Sequence, residues 1–135
     1  MAISYGAYST AMTTKIMSFV LLQEYAGKHG YQIAYSNPSF EYWYLLHFEK
    51  RNGYLKDCDA TINVLKSRGY LKNYEKSADV FDELLPSQAK AIERAKERVE
   101  RLSAEQTNVI SHDSNPVTTV YELVEYLNSQ RKQCI

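Results

Sequence analysis

Ser36, Asn37, Ser39 and Glu41 crowd together where a short aromatic and β-branched stretch, Tyr31 to Tyr35, gives way to a helical pattern opened by Pro38. Such a junction suits phosphate chemistry. In α/β sheets ligands bind beyond the carboxyl ends of strands. The first turn of a helix adds free N–H groups and a partial positive charge. Ser36, Asn37 and Ser39 can therefore contact a phosphate, or they can simply cap the helix, since these residue types are also its standard caps. Glu41, in the first turn, favours the positive end of the helix dipole by roughly 0.3–1 kcal/mol. It can equally act as a metal ligand or as a base that orients water, and it is the candidate catalytic residue.

The elements around this junction read as mostly helical. Ile16, Phe19, Val20 and Leu22 begin a helical pattern that runs to His29, with Gly30 as its C-terminal cap. Tyr31 to Tyr35 is the one convincing strand. From Pro38, Phe40, Trp43, Tyr44 and His47 recur at helical spacing, and that helix is expected to reach about Lys50. Trp43 reads as a core anchor. His47 shares its face and reads as a hydrogen-bonded core residue rather than a ligand. Further helices are expected over Asp59–Ser67, Ala78–Leu85 and Pro86–Ser103, the last with Ala91, Ile92, Ala95, Val99 and Leu102 as its inner stripe. A polar loop follows from Thr107 to Asn115, with His112 at the surface, and Pro116 and Thr118 introduce a final helix.

A single strand leaves its N–H and C=O groups unpaired. Its partners must come from Ala2 to Met12, from a second copy, or from a segment outside this chain. On the helix from Pro86, Lys90, Arg94, Arg98 and Arg101 form a basic stripe able to follow a phosphate backbone. Interleaved Glu93, Glu97 and Glu100 weaken its field, so a solvated face is the expected outcome.

Composition narrows the classes. The chain has 135 residues, enough for one domain, and 44% hydrophobic content, enough to fold. Sixteen basic and sixteen acidic side chains cancel, so no global field pulls it to nucleic acid or anionic lipid. Cys58 and Cys134 are far apart and lack the spacing of a zinc site. No apolar run approaches the ~20 residues of a membrane span, and the opening lacks the pattern of a signal peptide. The reading is cytoplasmic, without membrane association. Twelve tyrosines suit a half-buried core, with an interface or base-stacking role as the alternative.

The run from Ala34 to Glu49, with Ser36-Asn37-Pro38, Phe40-Glu41, Trp43 and Leu45-Leu46-His47-Phe48, resembles the signature of the RloB-like family. Tyr74-Glu75-Lys76 and Asn115-Pro116-Val117-Thr118 resemble later family segments in the right order. The resemblance implies an α/β, helix-rich fold: an incomplete Toprim-like domain with one or few strands. It divides the chain into an irregular or non-family stretch, 1–12, and the carboxyl-terminal part of an RloB-like domain, 13–135. It implies a metal-dependent nuclease or regulator of anti-phage defence, using Mg2+ or Mn2+, beside a defence ATPase. It makes Lys76 the better single candidate for phosphate contact. The family's acidic motifs are expected before the Ser-Asn-Pro turn, yet no Asp or Glu precedes Ile16. The chain is therefore expected to be inactive alone, its missing half supplied elsewhere, and to self-associate through the orphan strand. The alternative is a non-catalytic regulatory module that binds an ATPase or itself.

Overall fold

The computed structural model describes residues 2–5, 9–11 and 16–133, with side chains described from residue 21 to residue 131. Two short strands, β1 (Ala2–Tyr5) and β2 (Ser9–Ala11), precede helix α1 (Ile16–His29). Gly30 ends α1 at a φ of 70°, a left-handed conformation that glycine adopts without steric cost. Strand β3 (Gln32–Asn37) follows, then α2 (Glu41–Leu46) and α3 (Cys58–Ser67). A single turn, α4 (Phe81–Leu84), passes through a 3-10 turn at Leu85–Ser87 into the long α5 (Gln88–Ala104). A second 3-10 turn at His112–Ser114 leads to β4 (Val117–Thr118) and α6 (Val120–Gln133). The helix-rich α/β arrangement expected from the sequence is present.

The strand at Tyr31–Tyr35 does not stand alone. The four strands form one sheet in the order β2-β1-β3-β4, and every pairing is antiparallel. On one side of β3, Ala2 faces Tyr35 and Tyr5 faces Gln32; on the other, Ser36 faces Thr118 and Asn37 faces Val117. The partners thus come from the chain's own ends, and β3 needs no second copy to satisfy it. No hydrophobic period announced these segments, because two to four residues are too few to display one.

The Ser-Asn-Pro segment departs from the sequence reading for the same reason. Ser36 and Asn37 do not cap a helix; their backbone continues β3 and pairs with β4. Pro38 follows a cis peptide and lies before the helix rather than in it. Helix α2 starts at Glu41, with Phe40 in the N-cap place and no side-chain cap. It also ends at Leu46, short of Lys50. The hydroxyl of fully buried Tyr42 donates to the Arg51 carbonyl at 2.7 Å, which draws the chain back on itself instead of onward along the helix axis.

The helix expected over Ala78–Leu85 shrinks to α4, where the Asp79 carboxylate accepts from the Phe81 N–H at 3.1 Å. Pro116 and Thr118 do not open the last helix. They lead into β4, and the Thr118 hydroxyl accepts from the Val120 N–H at the start of α6. Helix α3 begins as a carboxylate cap allows: Asp57 accepts from the Ala60 N–H at 2.9 Å.

The core lies where α3 and α5 pack on α2, with α2 and α6 against β3, around Tyr42, Leu45, Leu46, Leu65, Ala91 and Ala95. A smaller cluster of Tyr35, Leu102 and Val117 sits near β4. Because Leu65 is fully buried, Leu65→Ala should lower stability by about 2–5 kcal/mol. Removing the α3 cap with Asp57→Ala should cost about 1 kcal/mol. Urea unfolding midpoints check both, and a cap loss exceeding the core loss would contradict this packing.

Candidate functional site

The turn from β3 into α2 is held from below by β4. The Tyr35 N–H donates to the Thr119 hydroxyl at 2.8 Å, and the Thr119 N–H returns a bond to the Tyr35 carbonyl at 2.7 Å. The hydroxyls of Ser36 and Thr118 share a 2.7 Å bond, both buried. The Asn37 amide and the Tyr35 phenol both donate to the Ser111 carbonyl, at 3.3 and 3.0 Å. Ser36 therefore ties β3 to β4 and Asn37 ties it to the residue before the 112–114 turn, while Ser39 and Glu41 line a cleft.

That cleft has a volume of about 420 Å³; Ser39, Glu41, Tyr44, Cys58, Tyr74 and Lys76 line it together with Pro38 and Phe40. The Glu41 side chain is only 6% exposed, whereas that of Lys76 is 69% exposed at the mouth. The Tyr74 hydroxyl donates to Glu41 Oε1 at 3.0 Å, and Lys76 Nζ stands 3.8 Å from the same oxygen. The Cys58 thiol approaches Oε2 at 3.4 Å. Ser39 Oγ is buried and outside hydrogen-bond geometry with any described partner, although it lies near enough to the carboxylate to favour its charge.

Burial by itself would push the Glu41 pKa up. The neighbouring Ser39 hydroxyl, the residue's own N–H, the Tyr74 hydroxyl and the Lys76 charge together outweigh burial and hold the carboxyl below its ordinary value. The reciprocal effects are consistent. The Tyr74 phenol is pushed up by burial and by its bond to Glu41, and the Lys76 ammonium is raised by its contact with Cys58 and by the Glu41 charge. The cleft thus presents a buried anion with an exposed cation at its rim.

Three of the candidate residues, Ser39, Glu41 and Lys76, meet in this cleft, and two, Ser36 and Asn37, do not. Phe40 packs edge-on against Tyr44, with ring centroids 5.2 Å apart. Trp43 is a buried core residue, and His47 packs edge-on against it at 4.9 Å. His47 Nδ1–H donates to the Trp43 carbonyl at 2.9 Å, and burial lowers the pKa of the ring. His112 is exposed. The basic stripe on α5 is largely committed to the fold: Arg94 donates to the Leu46 carbonyl, buried Arg98 to the Pro116 carbonyl, and Arg101 pairs with Glu105. Tyr74, Cys58 and Tyr44 were not singled out from the sequence. Only their distant partners give them a role, although Tyr74 sits two residues from Lys76 in a segment the resemblance had marked.

The implied Mg2+ or Mn2+ can be tested against these donors. A magnesium ion takes near-octahedral oxygen ligation, usually through carboxylates and water. Glu41 is one carboxylate, already bonded to a phenol and flanked by a thiol and an ammonium. Among the described residues, no three His, Cys, Asp or Glu side chains gather to hold a metal. These residues do not by themselves fit such an ion.

The model of the RloB-like protein family matches residues 11–127. The chain belongs to the RloB-like family. The match takes in β3, α2 and every residue of the Glu41 cleft. No curated protein and no solved structure matches this RloB-like chain. Among the described residues no helix is long and apolar enough to cross a membrane.

Glu41 binds its proton less tightly when folded than an unfolded glutamate does. Its stabilising contribution is present above the ordinary carboxylate range and is lost as pH falls through the folded value. Tyr74→Phe should raise the Glu41 pKa, visible in the carbon-13 shift of its carboxyl group, and should narrow that pH dependence. His47 is also depressed from its ordinary value of 6.5. It stabilises fully above that value and less as pH falls below it. Urea midpoints should therefore drop from about pH 7 to about pH 5, and by less in His47→Gln. An unchanged slope in that variant would assign the acid sensitivity elsewhere.

Proposed function

We propose that this RloB-like chain is part of a Toprim-related, nuclease-type protein of anti-phage defence in the cytoplasm, and that it holds nucleic acid at the Glu41 cleft without cutting it alone. One observation carries the reading. The strand-to-helix segment that bears the family signature carries a buried, ionised carboxylate with an exposed lysine 3.8 Å away and a buried hydroxyl beside it. Lys76 would meet a phosphate as a point charge. Glu41 would meet N–H or O–H donors of the substrate, or orient a water once further carboxylates from a partner polypeptide complete a metal site. Among the described residues the donor set falls short of such a site, which is why cleavage is assigned to an assembly and not to this chain.

A second reading rests on a different surface. Trp43, His47, Phe81, Leu85 and Leu127 line an apolar groove of about 460 Å³ between α2, α4 and α6. Phe81, Leu85 and Leu127 expose 56%, 43% and 44% of their surface there, more than an isolated apolar side chain requires. A groove of this kind favours a regulatory or protein-interaction module that partners a defence ATPase or a second copy.

Incubation of the chain with labelled single- and double-stranded DNA and RNA in Mg2+ or Mn2+ separates these. The nuclease-type reading expects retention of one strand type without cleavage, weakened by Lys76→Ala. Cleavage that disappears in Glu41→Ala would show that the chain is active by itself. Retention of no nucleic acid at all would leave the interaction module.

A further inference from the structure

We propose that the Glu41 cleft receives an unpaired guanine base of a single-stranded nucleic acid, read on its Watson–Crick edge. This rests on the nucleic-acid reading above and names what that site selects.

A carboxylate offers about four acceptor positions. At Glu41 the Tyr74 hydroxyl donates to Oε1, and among the described residues the side-chain hydrogen bond to Oε2 comes from a thiol at 3.4 Å, a weak donor. The Ser39 hydroxyl stands near enough to favour the charge without closing such a bond. Acceptor capacity therefore remains, on a side chain too buried to satisfy it with bulk water. Against burial, the Ser39 hydroxyl, the residue's own N–H, the Tyr74 hydroxyl and the Lys76 charge hold the group ionised, so it accepts and does not donate. The complementary ligand is a planar group with two adjacent N–H donors. Among the bases, guanine carries that pair at N1 and N2. Adenine and cytosine each present one amino group beside an acceptor, and uracil a single N–H between two carbonyls.

The walls include three aromatic rings. Phe40 and Tyr44 meet edge to face at 5.2 Å, and Tyr44 and Tyr74 at 5.8 Å, and all three line the cleft with Glu41. Unpaired bases in single strands are recognised through aromatic stacking and hydrogen bonds to their free edges. The volume of about 420 Å³ falls in the range of small-ligand pockets and is far too small for a duplex. Ser39 Oγ, buried beside the carboxylate but outside hydrogen-bond geometry with any described partner, is one more polar group inside the same cleft. Lys76, exposed at the mouth, is placed for the phosphate attached to an inserted base. Basic clefts that follow a backbone without reading it carry several cations; here one cation stands beside a buried anion, which is the arrangement of a base-reading pocket.

Calorimetric titration of the full chain with guanosine, inosine and adenosine 5′-monophosphates tests this. Inosine differs from guanosine only by the missing N2 amino group. Guanosine monophosphate should bind about tenfold more tightly than either of the others. Glu41→Gln should lose about tenfold in guanosine monophosphate affinity. Because Glu41 is buried, its circular dichroism spectrum must be unchanged for that to count. Ser39→Ala, a smaller perturbation, should weaken binding severalfold and serves if the glutamine variant misfolds. Lys76→Ala should weaken the nucleotide but not the nucleoside guanosine. Equal affinity for the three nucleotides, or wild-type affinity in both Glu41→Gln and Ser39→Ala, overturns the proposal. Binding of oligouridine with no preference for guanine sinks the base reading and leaves the nucleic-acid reading standing. Failure to bind any nucleotide or strand sinks both.

Discussion

The exchange between Tyr35 and Thr119 underlies the geometry of the rest. Two bonds of 2.8 and 2.7 Å join residues 84 apart in sequence, and the buried Ser36–Thr118 hydroxyl pair continues the seam. Closing so long a loop costs entropy that rises only slowly with length. Once it is closed, each neighbouring contact adds little further cost. The seam fixes where β3 ends, and so where Pro38, Ser39 and Glu41 begin. Without β4 the Ser-Asn-Pro segment would have polar groups to satisfy and a helix to cap. With β4 those groups are consumed, and the helix starts later and shorter.

The electrostatics of the cleft follow from that placement. A carboxylate inside a protein is unfavourable unless it is bonded or paired. Glu41 meets the requirement through Tyr74 and Lys76, which arrive on the loop after α3, and through Ser39 on its own turn. The arginines of α5 do the opposite kind of work. Arg94 and Arg98 give their donors to the carbonyls of Leu46 and Pro116, one at the end of α2 and one just before β4. Helix α5 thereby ties together the two elements that frame the signature segment. A charge pattern that resembles a phosphate-binding rail in one dimension is, in three, part of the scaffold.

The cleft and the apolar groove share a wall. Phe40 and Tyr44 line both, with Glu41 on the polar side and Trp43 and His47 on the other. Whatever fills the groove presses on the same aromatic pair that shapes the cleft. The two readings of the protein, one that handles nucleic acid and one that docks a partner, therefore concern adjacent faces of a single short helix.

The sequence by itself determined the long elements and their stops. Gly30 and Gly69 end α1 and α3, and Ala91, Ala95 and Leu102 form the buried stripe of α5, because glycine stops and a 3.6-residue period are local properties. The chemistry of the strand-to-helix junction nominated Ser39 and Glu41, and the family signature added Lys76. The sequence could not place β1, β2 or β4. Strands of two to four residues carry too little pattern, and their hydrogen bonds are made to residues dozens of positions away. Nor could it show that Ser36 and Asn37 belong to the sheet, that Arg98 is buried, or that Tyr74 and Cys58 close around Glu41. Those outcomes depend on which distant groups compete for the same donors and acceptors, and only the folded chain brings the competitors together.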